Sequence, residues 1–504
     1  MIRAGVFGLS IVLETDDPSV KSLLEFVYVD KRYNFFLKKV TETKVRGKIY
    51  DKTKKNPKTG NQFYKVGIGF AAYILNIFQR YLLLEDVADI KKAIIQDSYR
   101  AYPFPELRDY QNDDVLHILK YKIGLVTVQT GYGKSQVIAV LSKYFYQDMG
   151  KKVLLVTPSI KARDELIKRI YSLYGIEVST KFGHGGLQAL ITQGFKNKKD
   201  LKDPNKELEI KKELASFDVV LCDEVEYCIN PGGCYIFDNC IGATSRYGFS
   251  GTADKSDGNM INFQNGLSDP TIAGNIELIK YFGPSLVYRK PLDREVDLIN
   301  IKTDSLNKVV INCDNSTNIY LDVMTQIFTT PEVCEIIVKI AKTFPRLFIP
   351  INNLVNIINY WISNYWIGTF RILLVCAKGY VYYDLNGNII NLTLSKACNY
   401  INQGLVDIIP STSSGFRALD FPNLKNILVL SGNIAGSVLQ QIGRVARQKH
   451  MNIITLEPKG KKVIPVYSKG CKTREKMIKE YYKYCKLTKV FIDDDGISSY
   501  PGEV

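Results

Sequence analysis

Histidine is nearly absent: the chain has three in 504 residues. A metal centre built on several imidazoles is therefore not expected. Long apolar runs are missing too. The most apolar long segment, residues 66–84, is broken by Asn76, Gln79 and Arg80 and contains Gly67 and Gly69. Roughly 20 unbroken apolar residues are needed to span a bilayer, so an amphipathic helix packed on a core is the expected outcome there, with no membrane association. No internal repeat and no Pro- or Ser-rich tract occurs, which argues against a solenoid or a low-complexity linker. The start is not signal-like, because Glu14, Asp16 and Asp17 follow a short apolar stretch without a clear small-residue cleavage site. Ten cysteines in so large a chain then predict a reducing, intracellular, cytoplasmic setting.

Acidic residues are the minority charge, 51 against 67 Lys plus Arg, for a formal net charge of +16. A basic surface attracts polyanions because neutralised phosphates release counterions. Taken alone, the same surplus serves solubility equally well. Cys222, Cys228, Cys234 and Cys240 recur at a spacing that invites a zinc reading. Zinc ligands usually pair more closely, as C-x2-4-C, and Cys222 falls in an apolar run, so no zinc is expected.

The first hundred residues read as a small α+β accessory domain with possible DNA binding. Short strands are expected at 26–29, 35–37 and 48–50, and a basic loop at 51–60 carries Lys52, Lys54, Lys55 and Lys58. Helical patterning runs on to about Tyr99, and a Pro-containing linker follows at 101–105. Compact apolar runs then alternate with helical stretches: 124–128, 153–156, 219–222 and 247–249, and later 347–349, 371–376, 406–409, 427–430 and 453–456. This alternation predicts an α/β chain with two doubly wound parallel-sheet domains in tandem, at 101–285 and 286–468. A charged insertion is expected at 196–213. Residues 469–504 read as a basic C-terminal tail, Tyr-rich and helical over 469–489.

The strongest local signal is Gln129-Thr130-Gly131-Tyr132-Gly133-Lys134-Ser135, set between an apolar strand and a helical run. Gly131 and Gly133 permit tight turns whose N–H groups point inward at phosphate oxygens, and the helix N-terminus adds a favourable dipole. Lys134 would reach the β and γ phosphates and Ser135 would bind Mg²⁺. Val128 stands where the strict phosphate-loop spelling has glycine. A nucleotide hydrolase also needs carboxylates at a neighbouring strand end. Asp223 and Glu224 follow the apolar run 219–222; Asp223 would hold Mg²⁺ and Glu224 would orient and deprotonate the attacking water.

These two motifs, with Asp223-Glu224-Val225-Glu226 as the DExx box, resemble superfamily 2 helicases and translocases, and further segments follow in the family's order. Leu107-Arg108-Asp109-Tyr110-Gln111 is similar to the Q motif, which implies that Gln111 reads the adenine edge. Leu155-Val156-Thr157-Pro158-Ser159 resembles motif Ia and Ile191-Thr192-Gln193-Gly194 motif Ib. Both imply nucleic-acid contact, at Thr157, Pro158, Thr192 and Gln193. Phe249-Ser250-Gly251-Thr252-Ala253 resembles motif III, implying a coupling role for Ser250, Gly251 and Thr252. Residues 348–353 stand where motif IV would.

Residues 411–424 resemble motif V, with Thr412 toward nucleic acid and Asp420 toward the nucleotide, although Ala418 takes the usual glycine position. Gln440-Gln441-Ile442-Gly443-Arg444-Val445-Ala446-Arg447 matches motif VI, Q-x-x-G-R-x-x-R. Arginines three apart on a helix share a face. The resemblance implies that Gln440, Arg444 and Arg447 act on the γ-phosphoryl group across an interdomain cleft, with Arg447 as the main finger and Arg444 as its neighbour.

The resemblance spans about residues 105–460 and implies RecA-like domains. Similar length, a small basic N-terminal domain and the Ile442-Gly443-Arg444-Val445 spelling make the chain look like phage UvsW-type recombination helicases. That implies ATP and Mg²⁺ as cofactors and a monomeric motor acting on DNA, single-stranded or branched, in a host cytoplasm. An RNA helicase and a translocase on duplex DNA without strand separation stay open, whereas intact Lys134, Asp223, Glu224 and Arg447 argue against a clamp that binds ATP but barely hydrolyses it. The lysines and tyrosines of the tail suit either phosphate and base contact or a solvated face with its tyrosines packed inward.

Overall fold

The computed structural model describes residues 2–34, 39–100, 102–128, 132–181, 183–193, 195, 203–251, 276–289, 292–307, 309, 319–351, 355–376, 379–412, 424–430, 442, 450–458, 471, 474–476, 478–479, 482–493 and 496–499. The backbone divides into two units, Met1–Arg289 and Lys290–Val504.

The first unit opens with β1 (Arg3–Phe7), β2 (Ser10–Thr15), α1 (Ser19–Leu24), β3 (Glu25–Asn34), β4 (Lys39–Lys48), β5 (Tyr50–Lys55) and β6 (Gln62–Gly67). Strands β3 and β4 pair with each other as an antiparallel ribbon, while the other four form an antiparallel sheet in the order β1-β2-β6-β5. The basic segment read as a loop from residue 51 is a strand as far as Lys55. It lies at the sheet edge, where lysines discourage pairing with a further strand. The loop proper is shorter. It closes through Gly60 N–H donating to Asn56 O at 2.8 Å, and the Glu14 carboxylate accepts from Asn56, Thr59 and Asn61. The apolar segment 66–84 is helical over α2 (Ala71–Phe78), after a strand end and a single 3-10 turn. Among the described residues no helix is long and apolar enough to cross a membrane. Helix α3 (Leu84–Ile94) follows.

The rest of the unit is a six-stranded parallel sheet. Its elements in order are α4 (Asp109–Ile118), β7 (Ile123–Val128), α5 (Lys134–Lys143), β8 (Val153–Thr157), α6 (Ile160–Tyr174), β9 (Leu187–Ile191), α7 (Pro204–Ala215), β10 (Val219–Asp223), α8 (Val225–Cys228), α9 (Pro231–Asn239), β11 (Ser245–Ser250), α10 (Ile276–Phe282) and β12 (Ser285–Arg289). The strand order is β12-β7-β11-β10-β8-β9. Alternate residues of each strand enter opposite cores. Leu125, Leu154, Val156, Val220 and Cys222 join one, whereas Val126, Leu155, Val219, Leu221 and Phe249 join the other. Burial on both faces explains why these strands read as continuous apolar runs. The first core continues without a break into the N-terminal sheet through Ile68, Phe70, Ile74, Ile279 and Phe282. The charged insertion is helical over α7, capped by Asp203 and anchored by buried Leu214.

The second unit holds β13 (Leu292–Thr303), β14 (Leu347–Ile351), β15 (Ile372–Cys376), β16 (Gly379–Tyr383), β17 (Ile389–Leu392), β18 (Ile408–Thr412), β19 (Asn426–Val429), β20 (His450–Pro458), β21 (Tyr482–Asp493) and β22 (Gly496–Ser499). They form one sheet, β17-β16-β15-β18-β14-β19-β20-β13-β21-β22, parallel from β15 to β21 and antiparallel at its ends. Helix Pro331–Thr343 covers one face and helix Leu394–Asn402 the other. Each unit thus carries the expected α/β architecture. The tail expected to be helical over 469–489 is helical at its described residues 471, 474–476 and 478–479, but from Tyr482 onward it is strand β21, paired in parallel with β13. Its exposure alternates, with Tyr484 and Lys486 out and Cys485 and Leu487 half-buried, which is a strand period and not a helical one.

One buried cation holds the first unit's layers together. Arg246, on β11, is 1% exposed. Its guanidinium donates to the carbonyls of Ala243 and Phe237, both at 3.2 Å, and to that of Cys240. These carbonyls lie at and just beyond the C-terminal end of α9, where the helix dipole favours positive charge. Burial still pulls the Arg246 pKa down to about 10. Arg246→Ala leaves those carbonyls without this donor and is expected to cost about 3 kcal/mol. Arg246→Lys should recover only part, because an ammonium cannot match the fork. Urea unfolding, following the first transition, measures both.

Candidate functional site

Parallel pairing brings the candidate residues to one edge of the six-stranded sheet. β7, β11 and β10 are consecutive neighbours, with Thr127 opposite Ser250 and Phe249 opposite Asp223. The loop after Val128, Ser250 and the Asp223-Glu224 pair all leave the C-terminal ends of their strands, within about 10 Å across two strand steps.

Lys134 is the first residue of α5, behind Gly133 as N-cap. Gly133 sits at φ 97°, and a Cβ there would lie 2.6 Å from Gln111 Nε2, so both its backbone angle and its surroundings require glycine. Gln111 is buried. Its Nε2 donates to Tyr132 O at 2.9 Å and its Oε1 accepts from the Arg108 N–H at 3.0 Å. The Tyr132 hydroxyl donates to Asp114 Oδ2 at 2.7 Å, and the rings of Tyr110 and Tyr132 pack at 5.3 Å. Helix α4 therefore grips the loop just before Lys134. The amide that the Q-motif resemblance assigns to adenine has one donor and one acceptor position engaged within the chain.

On the opposite side of the site, Lys134 Nζ lies 3.9 Å from Glu224 Oε1, with the two side chains 10% and 20% exposed. Glu224 has φ 48° and ψ 50°, a left-handed conformation that a side chain seldom adopts. Such a residue costs on the order of 1–3 kcal/mol and is held by its surroundings. Here the Glu224 N–H donates to Asp223 Oδ1 at 3.0 Å, and the short helix α8 begins directly after it. Glu226, inside that helix, is buried. Burial first and the Glu224 charge second push its pKa up to about 8, against hydrogen bonding from Ser250 and the charge of Lys134.

This arrangement suits a magnesium polyphosphate. Ser135 and Asp223 supply hard oxygens of the kind Mg²⁺ takes, one or two from protein and the rest from phosphate and water. Among the described residues no group of three or more His, Cys, Asp or Glu could cage a metal alone. Residues 104–253, which span all these features, match the family model described as Type III restriction enzyme, res subunit. Over this segment the chain is similar to that family. Among curated proteins none matches it in sequence.

The chain is also similar to solved structures at low identity. UvsW of bacteriophage T4 is 13% identical over 97% of this chain and 99% of that chain, with a TM-score of 0.37. Dbp5 of S. cerevisiae, solved with RNA and ADP BeF3, is 12% identical over 77% and 90%, at 0.43. The helicase MrfA, solved with DNA and AMPPNP, is 13% identical over 80% and 58%, at 0.47.

The other candidate residues are placed as follows. Thr157 and Thr192 are buried at the ends of β8 and β9. The Thr192 N–H donates to Thr157 O at 3.0 Å, and the Thr157 hydroxyl donates to Ser159 O at 3.2 Å. Beside them Pro158 is half-buried and Gln193 exposed. Ser135 is exposed, Gly251 is half-buried, and Thr412 is buried at the end of β18. Thr130, Gly131, Thr252, Asp420, Gln440, Arg444 and Arg447 lie outside the described residues, as do Gly194 and the stretches of motifs IV and V at 352–354 and 413–423. Cys222, Cys228 and Cys240 are buried in the core, where burial raises the thiols of Cys222 and Cys240. Sequence reasoning missed Asn230, whose amide links α9 to Thr192. Its Asn-Pro-Gly-Gly context is locally an ordinary helix start.

The raised Glu226 pKa sets a pH dependence. A carboxyl with folded pKa near 8 and unfolded pKa near 4.5 binds more protons folded than unfolded between those values. Its stabilising contribution is complete below 4.5 and is lost as pH rises towards 8. The stability of the first unit should therefore decline over this window, and Glu226→Gln should flatten the decline. Urea midpoints at several pH values, compared between the two proteins, test this.

Proposed function

We propose that this protein is an ATP-driven DNA helicase or translocase that remodels branched DNA. The observation that carries the reading is the convergence of Lys134, at a helix N-terminus, with Asp223 and Glu224 at the C-terminal edge of one parallel sheet. A cation and a dipole facing two carboxylates form a site for a polyphosphate and its metal.

On this reading Lys134 holds the β and γ phosphates. The Ser135 hydroxyl and Asp223 take Mg²⁺, which supplies charge neutralisation on the phosphates. Glu224 orients the attacking water and accepts its proton. The strained turn at Glu224 fixes the carboxylate, so turnover does not wait on its reorientation. Gln111 and Tyr132 stiffen the phosphate loop. Arg444 and Arg447 keep the γ-phosphoryl role that the motif VI pattern implies. DNA is favoured over RNA because Glu226 ends motif II, unlike the DEAD and DExH spellings. The surplus of 67 basic over 51 acidic residues suits a polyanion. The setting is intracellular and the motor monomeric.

Steady-state ATP hydrolysis tests the proposal, with the protein alone and with single-stranded, forked and four-way DNA and RNA. DNA should stimulate turnover, most with branched forms. Lys134→Ala should lower the stimulated rate by roughly 100-fold or more, and Glu224→Gln by a similar factor with ATP binding retained. Stimulation by RNA alone would move the assignment to RNA remodelling. Turnover indifferent to every polynucleotide, or intact in Lys134→Ala, would overturn it.

A further inference from the structure

We infer that Asn230 is a positioning residue that ties the hydrolytic turn to the nucleic-acid loops. The inference rests on the motor reading above, and concerns a residue outside every motif that carries it.

The Asn230 amide fills all four of its hydrogen-bonding positions. Oδ1 accepts from the N–H groups of Gly232 and Gly233 at 3.0 and 3.1 Å, capping α9. Nδ2 donates to Tyr227 O and to Thr192 Oγ1, each at 2.9 Å. Two backbone N–H groups and one backbone carbonyl among the partners fix which end of the amide is which. Tyr227 belongs to α8, the helix that starts immediately after Glu224. Thr192 lies at the end of β9 and is bonded through its N–H to Thr157 O at the end of β8.

A continuous path therefore runs from Glu224 through α8 and Asn230 to the loops resembling motifs Ib and Ia. The path is stiff. A Cβ at Gly233 would lie 1.8 Å from Cys228 O and 3.1 Å from Thr192 Cγ2, and one at Gly232 would lie 2.3 Å from Thr192 O. Helix α9 sits against Thr192 with no slack, and Asn230 is the polar bolt where they meet. A shift of the turn at Glu224 then moves the loops after β8 and β9 with it. Among the described residues the Asn230 side chain bonds to neither Lys134, Ser135 nor Asp223, so its effect falls on coupling and not on the hydrolytic step.

Asn230→Ser is the informative substitution. A serine hydroxyl still caps α9 but cannot also reach Tyr227 O and Thr192. The measurement is ATP turnover of the full chain, without polynucleotide and across a titration of forked DNA, alongside the melting temperature. Basal turnover and KM for ATP should match the parent. Maximal stimulation by DNA should fall about fivefold to tenfold, the scale of one or two lost hydrogen bonds acting on coupling. Thr192→Val, read on stimulated turnover only, should give a similar loss, and the double variant should lose no more than either alone. Full stimulation in Asn230→Ser would overturn the inference. A parallel fall of basal and stimulated rates at unchanged melting temperature would do the same. A parent protein that no polynucleotide stimulates would instead sink the motor reading itself.

Discussion

Parallel strands buried on both faces can do chemistry only at their ends. In the six-stranded sheet every side chain along β7, β10 and β11 is buried apart from partly open Thr127, and the apolar ones are committed to one core or the other. Parallel pairing then sends all the carboxyl ends to one edge, and a ligand must bind there. Val128 leads into the phosphate loop, Asp223 into Glu224, and Ser250 into the segment resembling motif III. Their proximity follows from register, with no need for any loop to search for its partner.

Charge at that edge is balanced by burial as much as by pairing. Lys134 faces Glu224 at 3.9 Å, and Glu226 stands behind with its pKa pushed up to about 8. A neutral Glu226 adds no charge beside Asp223 and Glu224. An ionised Glu226 would add a third carboxylate with little water to screen it. The Ser250 hydroxyl, at the end of the neighbouring strand, bonds Glu226 and so links β11 to the acidic turn. The same pair of motifs that supplies the carboxylates thus also limits their repulsion.

Much of this was legible in the sequence because burial on two faces leaves a strong local trace. The runs that became β7, β8, β10 and β11 are short, apolar and end in polar clusters, which is all that a buried parallel strand requires. Strands β13 and β21 left no such trace. Their apolar residues are interrupted by polar and charged ones, as at Asp297, Asn300 and Lys302 or Lys486 and Lys489, and only pairing with distant strands makes a sheet of them. Read alone, the lysines and tyrosines around 482–489 fit a helix face, and the long-range partner decides otherwise. Arg246 was equally silent. Nothing near it in sequence shows that its guanidinium meets the end of α9 through the core. The roles of Lys134, Asp223 and Glu224 rested on motif order, but the left-handed backbone of Glu224 has no spelling, because any residue at a strand end can precede a helix.

Asn230 marks the limit of motif reading in a physical way. Asn-Pro-Gly-Gly is a good helix start, since asparagine caps, proline fits the first turn and nothing else is asked of it locally. Two glycines in the first turn of a helix nonetheless weaken it by about 1 kcal/mol each relative to alanine. That cost has a purpose only in three dimensions. Without side chains the first turn of α9 can lie against Thr192 O and Cys228 O, distances that any Cβ would violate. A locally unfavourable pair of residues therefore permits the hydrolytic turn and the loop after β9 to pack directly through α9. Where helix propensity is set aside inside a well-packed unit, the close approach that this permits is the place to look for coupling.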